Sequence, residues 1–304
     1  MVRLNRLDLN LLIALDALLD EKSITRAAER IHLSQPATSG ALARLREFFG
    51  DELLVRVGSK MQPTPLGESL AAPVHNILLQ IQATVERGIE FQPEDCDRRF
   101  KVIVGDYFAS TYMVGFLKRM SELAPKMQFE FFQPSTKPVA ELENGGVDFV
   151  VIPEHILSAE HPHESLISED FVCIASSDND AVYDGMTVAE FMALGHVVVR
   201  FGAHRQKSQD QILLESEYGL EPRVEVIAST FNSIPLYIPG TRRIAIVYRH
   251  LGESWSRTLP IKLVKPPMKL PVVTWGVQWH QFRNLDPAIQ WLRKQMISFA
   301  KDYK

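Results

Sequence analysis

Residues 35–49 carry polar and small side chains at spacings that would let them read the edges of DNA bases. A helix over this segment turns by about 100° per residue. One face then carries Gln35, Pro36, Ser39, Gly40, Ala43 and Arg46, and the other carries Ala37, Thr38, Ala41, Leu42, Leu45, Phe48 and Phe49. Glutamine can hydrogen-bond an adenine edge twice, serine can reach a base or a phosphate, and proline and alanine can contact thymine methyl groups. The alternative is that the polar face is only the solvated side of an amphipathic helix.

The preceding residues predict a second helix and a tight turn, which together form a helix-turn-helix. Ser23 can cap this helix, and the small inward side chains of Ala27 and Ala28 allow another helix to approach closely. Ser34 can cap the next helix after a short turn, and Pro36 suits its first turn. An earlier run of leucines at helical spacing predicts a first amphipathic helix.

Two short extended segments follow around a turn, as in the wing of a winged helix. Arg56 and Lys60 lie beside this turn, where they either hold phosphates or belong to a solvated hairpin. Arg26 is a third phosphate candidate or an ordinary surface residue. The complete set of predicted DNA contacts is Ser23, Thr25, Arg26, Ser34, Gln35, Pro36, Ser39, Ala43, Arg46, Arg56, Lys60 and Thr64.

Composition and charge limit the class of the protein. A chain of 304 residues exceeds the usual size of one core, so two or three domains are expected. The formal net charge is −4, and residues 1–66 hold nine Lys or Arg against eight Asp or Glu, so DNA binding would need directed contacts and a dimer. No apolar run could span a bilayer and no signal-peptide core opens the chain, which predicts a cytoplasmic protein without a membrane partner. Cys96 and Cys173 are expected to be unpaired thiols.

From residue 66 the pattern changes to that of a long helix with an apolar stripe at coiled-coil-like spacing. The stripe consists of Leu70, Val74, Ile77, Ile81 and Val85. A helix that leaves a small domain cannot bury such a stripe alone, so it predicts pairing with a second copy on a partly palindromic DNA site. The alternative is packing on its own C-terminal domain. We expect a DNA-binding domain over 1–65, a dimerising linker helix over 66–91 and an effector-binding domain over 92–304.

Beyond a polar, proline-marked hinge at 92–98, strand and helix patterns alternate. Apolar or alternating runs predict strands at 100–105, 128–132, 147–153, 171–175, 196–200, 224–228, 244–248 and 272–278. Helix-length segments lie between most of these runs. The order therefore predicts an α/β domain with mostly parallel sheets, which bind ligands at the carboxyl ends of their strands.

Side chains that follow these strands form a candidate site for a small molecule. Ser110 and Thr111 could bind an anion or a phenol or act as an ordinary helix cap, and Asp106 could cap the helix or oppose an anion. Aromatic side chains favour a planar phenolic or aromatic acid ligand, unless Phe171 and Phe231 belong to the core. The predicted effector contacts are Asp106, Phe108, Ser110, Thr111, Phe171, His204, Phe231, Asn232 and Tyr248.

Several motifs together resemble the LysR-type transcriptional regulators. They are Leu7-Asp8-Leu9-Asn10-Leu11-Leu12, Ala27-Ala28, Ser34-Gln35-Pro36-Ala37-Thr38-Ser39, Asp51-Glu52-Leu53-Leu54-Val55-Arg56 and Pro63-Thr64-Pro65-Leu66-Gly67. The branch of nodulation-gene and aromatic-degradation regulators is similar at Asp97-Arg98-Arg99-Phe100, Val147-Asp148-Phe149, Val277-Gln278-Trp279-His280 and Asn284-Leu285-Asp286-Pro287. The resemblance covers essentially the whole chain. Gly40 departs from it, because the family commonly carries a longer polar or basic side chain there.

The resemblance implies a winged helix-turn-helix that binds promoter DNA, a linker helix that dimerises, and a two-lobed domain like a periplasmic binding protein that holds an inducer. It implies lobe I over about 98–165 and 270–304, and lobe II over about 166–269. It further implies a tetramer whose bending of DNA responds to the inducer, and an activator that works with RNA polymerase. Flavonoids and substituted phenols both suit such a cleft.

Two alternatives stay open at this level. A ligand-relieved repressor would use the same residues, so the sequence does not distinguish it from an activator. An enzyme of aromatic metabolism or a small-molecule binding protein would use the α/β part alone, but the sequence has no nucleophile elbow, glycine-rich phosphate loop or His-Glu-x-x-His motif. The histidines at 155, 161 and 163 and their neighbouring glutamates match no compact metal site, so no metal or other cofactor is expected.

Overall fold

The computed structural model describes residues 7–85, 91–135, 137–201 and 206–303, without the side chains of residues 82 and 83. The chain divides into two compact units. The first comprises residues 1–91, 139–148 and 279–291, and the second comprises residues 92–138, 149–278 and 292–304. None of the described helices is long and apolar enough to cross a membrane.

A winged helix-turn-helix forms the N-terminal part of the first unit, which confirms the prediction. Its elements are α1 (Asn10–Glu21), α2 (Ile24–Arg30), α3 (Gln35–Phe49), the antiparallel hairpin of β1 (Leu54–Val57) and β2 (Lys60–Pro63), and α4 (Pro65–Val85). Serines cap the two helices of the motif as expected. Ser23 accepts a hydrogen bond from the backbone N–H of Arg26 at 3.4 Å, and Ser34 accepts one from that of Ala37 at 3.3 Å.

One apolar cluster joins these helices to the hairpin. Leu15, Leu18 and Leu45 are fully buried in it. Ala27 of α2 and Ala41 of α3 also belong to the cluster, so their small side chains let the two helices approach closely, as the sequence predicted.

The second unit is built on two mixed sheets that form two lobes. In lobe I the strand order is β4 (Gln128–Phe132), β3 (Arg99–Val104), β5 (Phe149–Pro153), β13 (Val273–Trp279) and β6 (His163–Glu169). In lobe II it is β10 (Val224–Ala228), β8 (His196–Phe201), β11 (Ile244–Tyr248), β7 (Phe171–Ser176) and β12 (Ile261–Val264), with β9 (Gln206–Lys207) paired to β8. The chain passes between the lobes at Asp170 and again over 265–272.

The remaining helices are α5 (Asp106–Ser110), α6 (Tyr112–Leu123), α7 (Pro138–Glu143), α8 (Val188–Ala193), α9 (Gln209–Tyr218), α10 (Arg249–Ser256) and α11 (Pro287–Asp302). Single-turn or irregular 3₁₀ segments occupy Pro93–Asp95, Glu154–Ile156, Phe231–Tyr237 and Gln281–Arg283.

All eight strands predicted in the C-terminal part are present, with ends within about two residues of the predictions. The expectation of mostly parallel sheets is wrong, because both sheets are mixed. Parallel pairs join β3 to β4 and β5, and β8 to β10 and β11, whereas β13 with β6, β7 with β11 and β12, and β8 with β9 are antiparallel. The sequence missed β6 because its first residues are exposed and polar, which leaves no apolar run to detect.

Candidate functional sites

The exposed face of α3 agrees with the sequence prediction. Of the residues predicted on the polar face, Gln35, Pro36, Ser39, Gly40 and Ala43 are exposed, and the buried residues of the helix are Thr38, Ala41, Leu42 and Leu45. The prediction fails at Ala37, which is exposed because the whole first turn extends beyond the core. A Cβ built on Gly40 would meet no atom within 4 Å, so the fold does not require glycine at this position.

Arg46 faces the domain itself, which corrects its prediction as a DNA contact. Its Nε donates to the carbonyl of Glu52 at 2.9 Å, and its Nη2 donates to the carbonyl of Leu54 at 2.8 Å. The same guanidinium lies 3.0 Å from a carboxylate oxygen of Glu52. These contacts join the end of α3 to the start of β1, so Arg46 positions the hairpin.

Thr64 is likewise engaged inside the domain, and its prediction as a DNA contact is corrected. Its hydroxyl donates to Asp51 Oδ1 at 2.6 Å and accepts from the backbone N–H of Gly67 at 3.0 Å. The hydrogen bond from Thr64, with a second from the backbone N–H of Leu53, lowers the pKa of Asp51. Gly67 packs so closely that a Cβ would lie 2.3 Å from the carbonyl oxygen of Leu53. This junction fixes the hairpin to α4.

The cationic side chains near the hairpin and α2 remain at the surface. Arg56 and Lys60 are exposed beside the turn, and Arg56 Nε donates to the carbonyl of Gly58 at 3.2 Å. Arg26 is 64% exposed but pairs with Glu21 at 3.3 Å. Thr25, also predicted, is exposed on α2.

Arg44 is an exposed cation on α3 that the sequence analysis missed. Its side chain is 62% exposed, and its only described carboxylate partner is Asp8 at 3.9 Å. It lies on the border between the polar and apolar faces, so a two-face description of the helix left it out.

The apolar stripe predicted on α4 divides into two parts. Val74 is 4% exposed and Leu70 packs on the winged-helix core, which corrects their assignment to a dimer interface. Ile77, Ile81 and Val85 are 45%, 44% and 72% exposed. The second half of the stripe is thus an exposed apolar surface on this chain.

In the second unit, polar groups predicted to bind an effector bond to one another across the two lobes. The backbone N–H of Asn232 donates to Asp106 Oδ2 at 2.9 Å, and its side-chain amide donates to the carbonyl of Asp106 at 2.9 Å. The Ser110 hydroxyl lies 2.8 Å from Asn232 Oδ1. The Thr111 hydroxyl donates to the carbonyl of Tyr107 at 2.8 Å, so neither it nor Ser110 caps α6. A further contact joins His155 Nε2 to Gln209 Oε1 at 3.0 Å.

Between these contacts, aromatic rings from both lobes fill the cleft. Tyr107 of lobe I stacks on Tyr248 of lobe II with ring centroids 4.5 Å apart. Phe171 stacks on the other side of Tyr248 at 5.0 Å, and Phe231 lies 5.3 Å from Tyr248. These rings are at most 6% exposed. An aromatic lining was predicted, but the rings pack on each other.

Phe108 belongs to the core of lobe I, which corrects its prediction as an effector contact. It is fully buried, stacked on Trp275 at 4.9 Å and close to Tyr112 at 4.6 Å. A residue after a strand can point toward the cleft or toward the core, and only the packing decides. His204, the last predicted effector contact, lies outside the described residues.

Buried carboxyl groups surround the ring stack, and the sequence analysis found only one of them. Asp106, Glu169 and Asp210 are 9%, 1% and 4% exposed. Burial raises the pKa of all three, that of Asp210 to about 6. Tyr107 and His250 partly offset this rise in the pKa of Glu169. Nδ1 of His250 contacts Glu169 Oε1. No local pattern marks Glu169 or Asp210, because each lies in a polar segment that reads as surface.

Four polar atoms around the stack are buried and make no hydrogen bond of normal length to the described residues, although the Tyr107 hydroxyl lies near enough to Glu169 to lower the pKa of that carboxyl group. They are Tyr107 Oη, Glu169 Oε2, Asp210 Oδ1 and Trp275 Nε1. Such atoms lose hydration on burial and normally find a partner. Among the described residues, no group of three His, Cys, Asp or Glu side chains could hold a metal ion.

Comparison with known proteins places this architecture in a family. The model of the bacterial regulatory helix-turn-helix proteins of the lysR family matches residues 9–68, and that of the LysR substrate binding domain matches residues 95–300. The chain belongs to the LysR family. It is 39% identical over 300 residues to Nodulation protein D 1 of Bradyrhizobium sp. (strain NC92), covering 98% of this chain and 95% of that protein. This LysR-type protein is therefore a transcriptional regulator and not an enzyme.

Solved structures share the fold over nearly the whole chain. Full-length OxyR from Pseudomonas aeruginosa superposes with a TM-score of 0.77 at 21% identity, covering 98% of both chains. Full-length CbnR in complex with its target DNA superposes with a TM-score of 0.59 at 14% identity, covering 97% of this chain and all of that one. At these identities the comparison with these structures shows a shared fold.

Proposed function

We propose that this LysR-type regulator binds promoter DNA through the exposed face of α3. The observation that supports this most directly is that Gln35 and Ser39 are exposed and make no side-chain hydrogen bond to the described residues. Arg44, Arg56 and Lys60 supply exposed cations on α3 and the hairpin for phosphates. CbnR, with the same fold, has been solved with its target DNA.

We propose that two copies pair through Ile77, Ile81 and Val85, which α4 leaves exposed. A second copy would bury these side chains and bring two α3 helices to a partly palindromic site. Dimers would associate further into tetramers in the cytoplasm. We further propose that the protein is an activator that works with RNA polymerase, as its resemblance to the nodulation-gene regulators implies.

We propose that the inducer is a planar phenolic or other aromatic compound held between the lobes. An aromatic ring could replace the stacking partner of Tyr107 or Tyr248, and its hydroxyl groups could satisfy the buried polar atoms of Tyr107, Glu169, Asp210 and Trp275. Binding would compete with the Asp106–Asn232 and Ser110–Asn232 contacts. A change at these contacts would alter how the lobes meet, and so how the protein bends DNA.

Footprinting and bending assays on the promoter region upstream of this protein's own gene test the proposal. The assays are run without and with flavonoids and substituted phenols. A sequence-specific footprint whose extent or bend changes with one compound supports it and identifies the inducer class. Transcription in vitro with RNA polymerase then distinguishes activation from relief of repression. Absence of a specific footprint under all conditions contradicts the proposed DNA site.

Gln35→Ala tests the proposed DNA contact of the exposed face of α3. We expect loss of preference at one base position in each half-site, by about 1 to 3 kcal/mol, because a paired hydrogen bond to a base edge is lost. Selection of binding sites from randomised DNA measures this change. Glu47→Ala, at an exposed position on the last turns of the same helix, is the control. Unchanged site selection by Gln35→Ala would remove Gln35 from the recognition surface.

A further inference from the structure

A cavity beside the interlobe cleft lies where the chain passes between the two lobes. It has a volume of about 560 Å³, which is in the range of pockets that hold drug-sized ligands. Both connecting segments contribute to it: Asp170 from the first and residues 265–270 from the second. A molecule in this cavity would touch both connections between the lobes.

The cavity combines an apolar floor with a positively charged rim. Phe171, Val264 and Met268 are buried side chains of its lining. Lys265 and Lys269 are exposed at its edge, and no carboxylate among the described residues lies within ion-pair distance of either ammonium group. Such a combination suits a flat apolar body that carries one negative charge.

The other charged groups of the cavity are engaged in the protein. Arg249 binds Asp170 through two hydrogen bonds, from Nε at 2.8 Å and Nη2 at 2.7 Å, and its guanidinium lowers the pKa of Asp170. Asp184 accepts from the backbone N–H of Lys265 at 2.8 Å. The Tyr218 hydroxyl donates to the carbonyl of Lys269 at 2.5 Å. These bonds hold the second connection in place and leave the two ammonium groups available.

The cavity is connected to the interlobe cleft through residues they share. Phe171 lines the cavity and also stacks on Tyr248, which in turn stacks on Tyr107. Asp170 and Arg249 at the cavity directly precede or follow Glu169 and His250 in the chain, and the side chains of Glu169 and His250 contact each other beside the cleft. A ligand that displaced Phe171 or the Asp170–Arg249 pair would therefore disturb the ring stack.

We propose that this crossover cavity is a second ligand site, which binds an aromatic carboxylate between Lys265 and Lys269. The site is separate from the cleft and does not depend on the inducer proposed above. Its occupant bridges the two connections between the lobes, and through Phe171 it changes the stacking of Tyr248.

Calorimetric titration of the full-length protein with 2-naphthoate tests this site. We expect saturable binding of one molecule per chain, weakened about tenfold in the double variant Lys265→Glu/Lys269→Glu, because two favourable charges become unfavourable. The neutral isostere naphthalene-2-carboxamide should bind at least as weakly as 2-naphthoate does to that variant. Both lysines are exposed, so thermal unfolding should stay near that of the unmodified protein.

Two further variants serve as controls, one for surface charge and one for the interlobe cleft. Lys294→Glu/Lys301→Glu reverses two exposed charges on α11 and should leave the affinity for 2-naphthoate unchanged. Asn232→Ala removes an interlobe contact away from this cavity, and the variant should still bind 2-naphthoate saturably. Equal binding of the carboxamide, unchanged binding by Lys265→Glu/Lys269→Glu, loss of binding in Asn232→Ala, or no saturable binding would each overturn the proposal. Failure here leaves the promoter footprint unaffected, so it is distinguishable from failure of the proposed function.

Discussion

The exposed face of α3 and the cleft between the lobes differ in whether their polar side chains are already hydrogen-bonded within the protein. Gln35 and Ser39 are exposed and free of side-chain hydrogen bonds to described residues. Asp106, Ser110 and Asn232 bond to one another. The first surface is ready to contact a partner without rearrangement. The second is closed on itself, so a ligand must replace contacts worth about 1 kcal/mol each before it gains any affinity.

In the function proposed above, this difference separates DNA recognition from regulation within one chain. A helix with a rigid core behind it can keep its outer face in one conformation whether or not a partner is present. A cleft held by a few hydrogen bonds and a ring stack can be opened by a ligand that binds the open arrangement more tightly than the closed one. Substitutions in each region test this contrast.

Ile77→Asp is expected to have the largest effect. The proposed dimer would bury an unpaired charge, so the dimer should weaken by about 3 kcal/mol or more while the chain stays folded. Sedimentation equilibrium measures the dimer, and circular dichroism follows folding. Val74→Asp is the matched comparison, because Val74 is buried in the winged-helix core and its replacement should unfold that domain. A dimer as tight as the unmodified one in Ile77→Asp would contradict the interface.

Gly67→Ala should destabilise the winged-helix domain by about 2 to 3 kcal/mol. Its Cβ would lie 2.3 Å from the Leu53 carbonyl oxygen, so backbone must shift at the junction of hairpin and α4. Urea unfolding of the full chain, followed by a probe in the N-terminal domain, measures the loss. Stability equal to that of the unmodified protein would show that the junction adapts easily.

Asp210→Asn should stabilise the second unit, and more so at neutral than at acidic pH. Burial raises the pKa of Asp210 from 3.8 to about 6, so its contribution to stability is greatest below the unfolded pKa and falls as pH rises toward 6. The gain from Asp210→Asn should therefore grow by about 2 kcal/mol between about pH 4.5 and about pH 7.5. Urea unfolding at both pH values measures it. Asp180→Asn, at an exposed position, should show no such dependence.

Gly40→Ala should have the smallest effect on stability, with a sign opposite to that of Gly67→Ala. Alanine in a helix interior is favoured over glycine by about 0.5 to 1 kcal/mol, and its Cβ would meet open space at position 40. If α3 lies against DNA, the same methyl group should weaken promoter binding. Urea unfolding and DNA titration together test both expectations, and a variant that is less stable than the unmodified chain would refute the first.

Predictions from the sequence were correct where an interaction joins residues close together in the chain, and they were wrong where it joins more distant residues. The caps at Ser23 and Ser34 and the buried position of Thr38 depend on residues within one turn, and all were predicted correctly. Arg46 and Thr64 were misassigned because their partners, Leu54 and Asp51, approach only after the hairpin folds back. On α4, the winged-helix core covers Leu70 and Val74 but leaves Ile77, Ile81 and Val85 exposed. The spacing of apolar residues within α4 does not predict where this division falls.

Periodicity and motifs of adjacent residues were enough to predict the winged helix-turn-helix, most of the exposed face of α3 and the family. The pairing of the polar groups in the cleft could be seen only in the folded chain. Asp106 meets Asn232, and Tyr107 meets Tyr248, across more than a hundred residues of chain. Burial and pairing in the cleft are set by how the lobes pack, and this packing joins side chains that lie far apart in the chain. No pattern of neighbouring residues predicts such contacts.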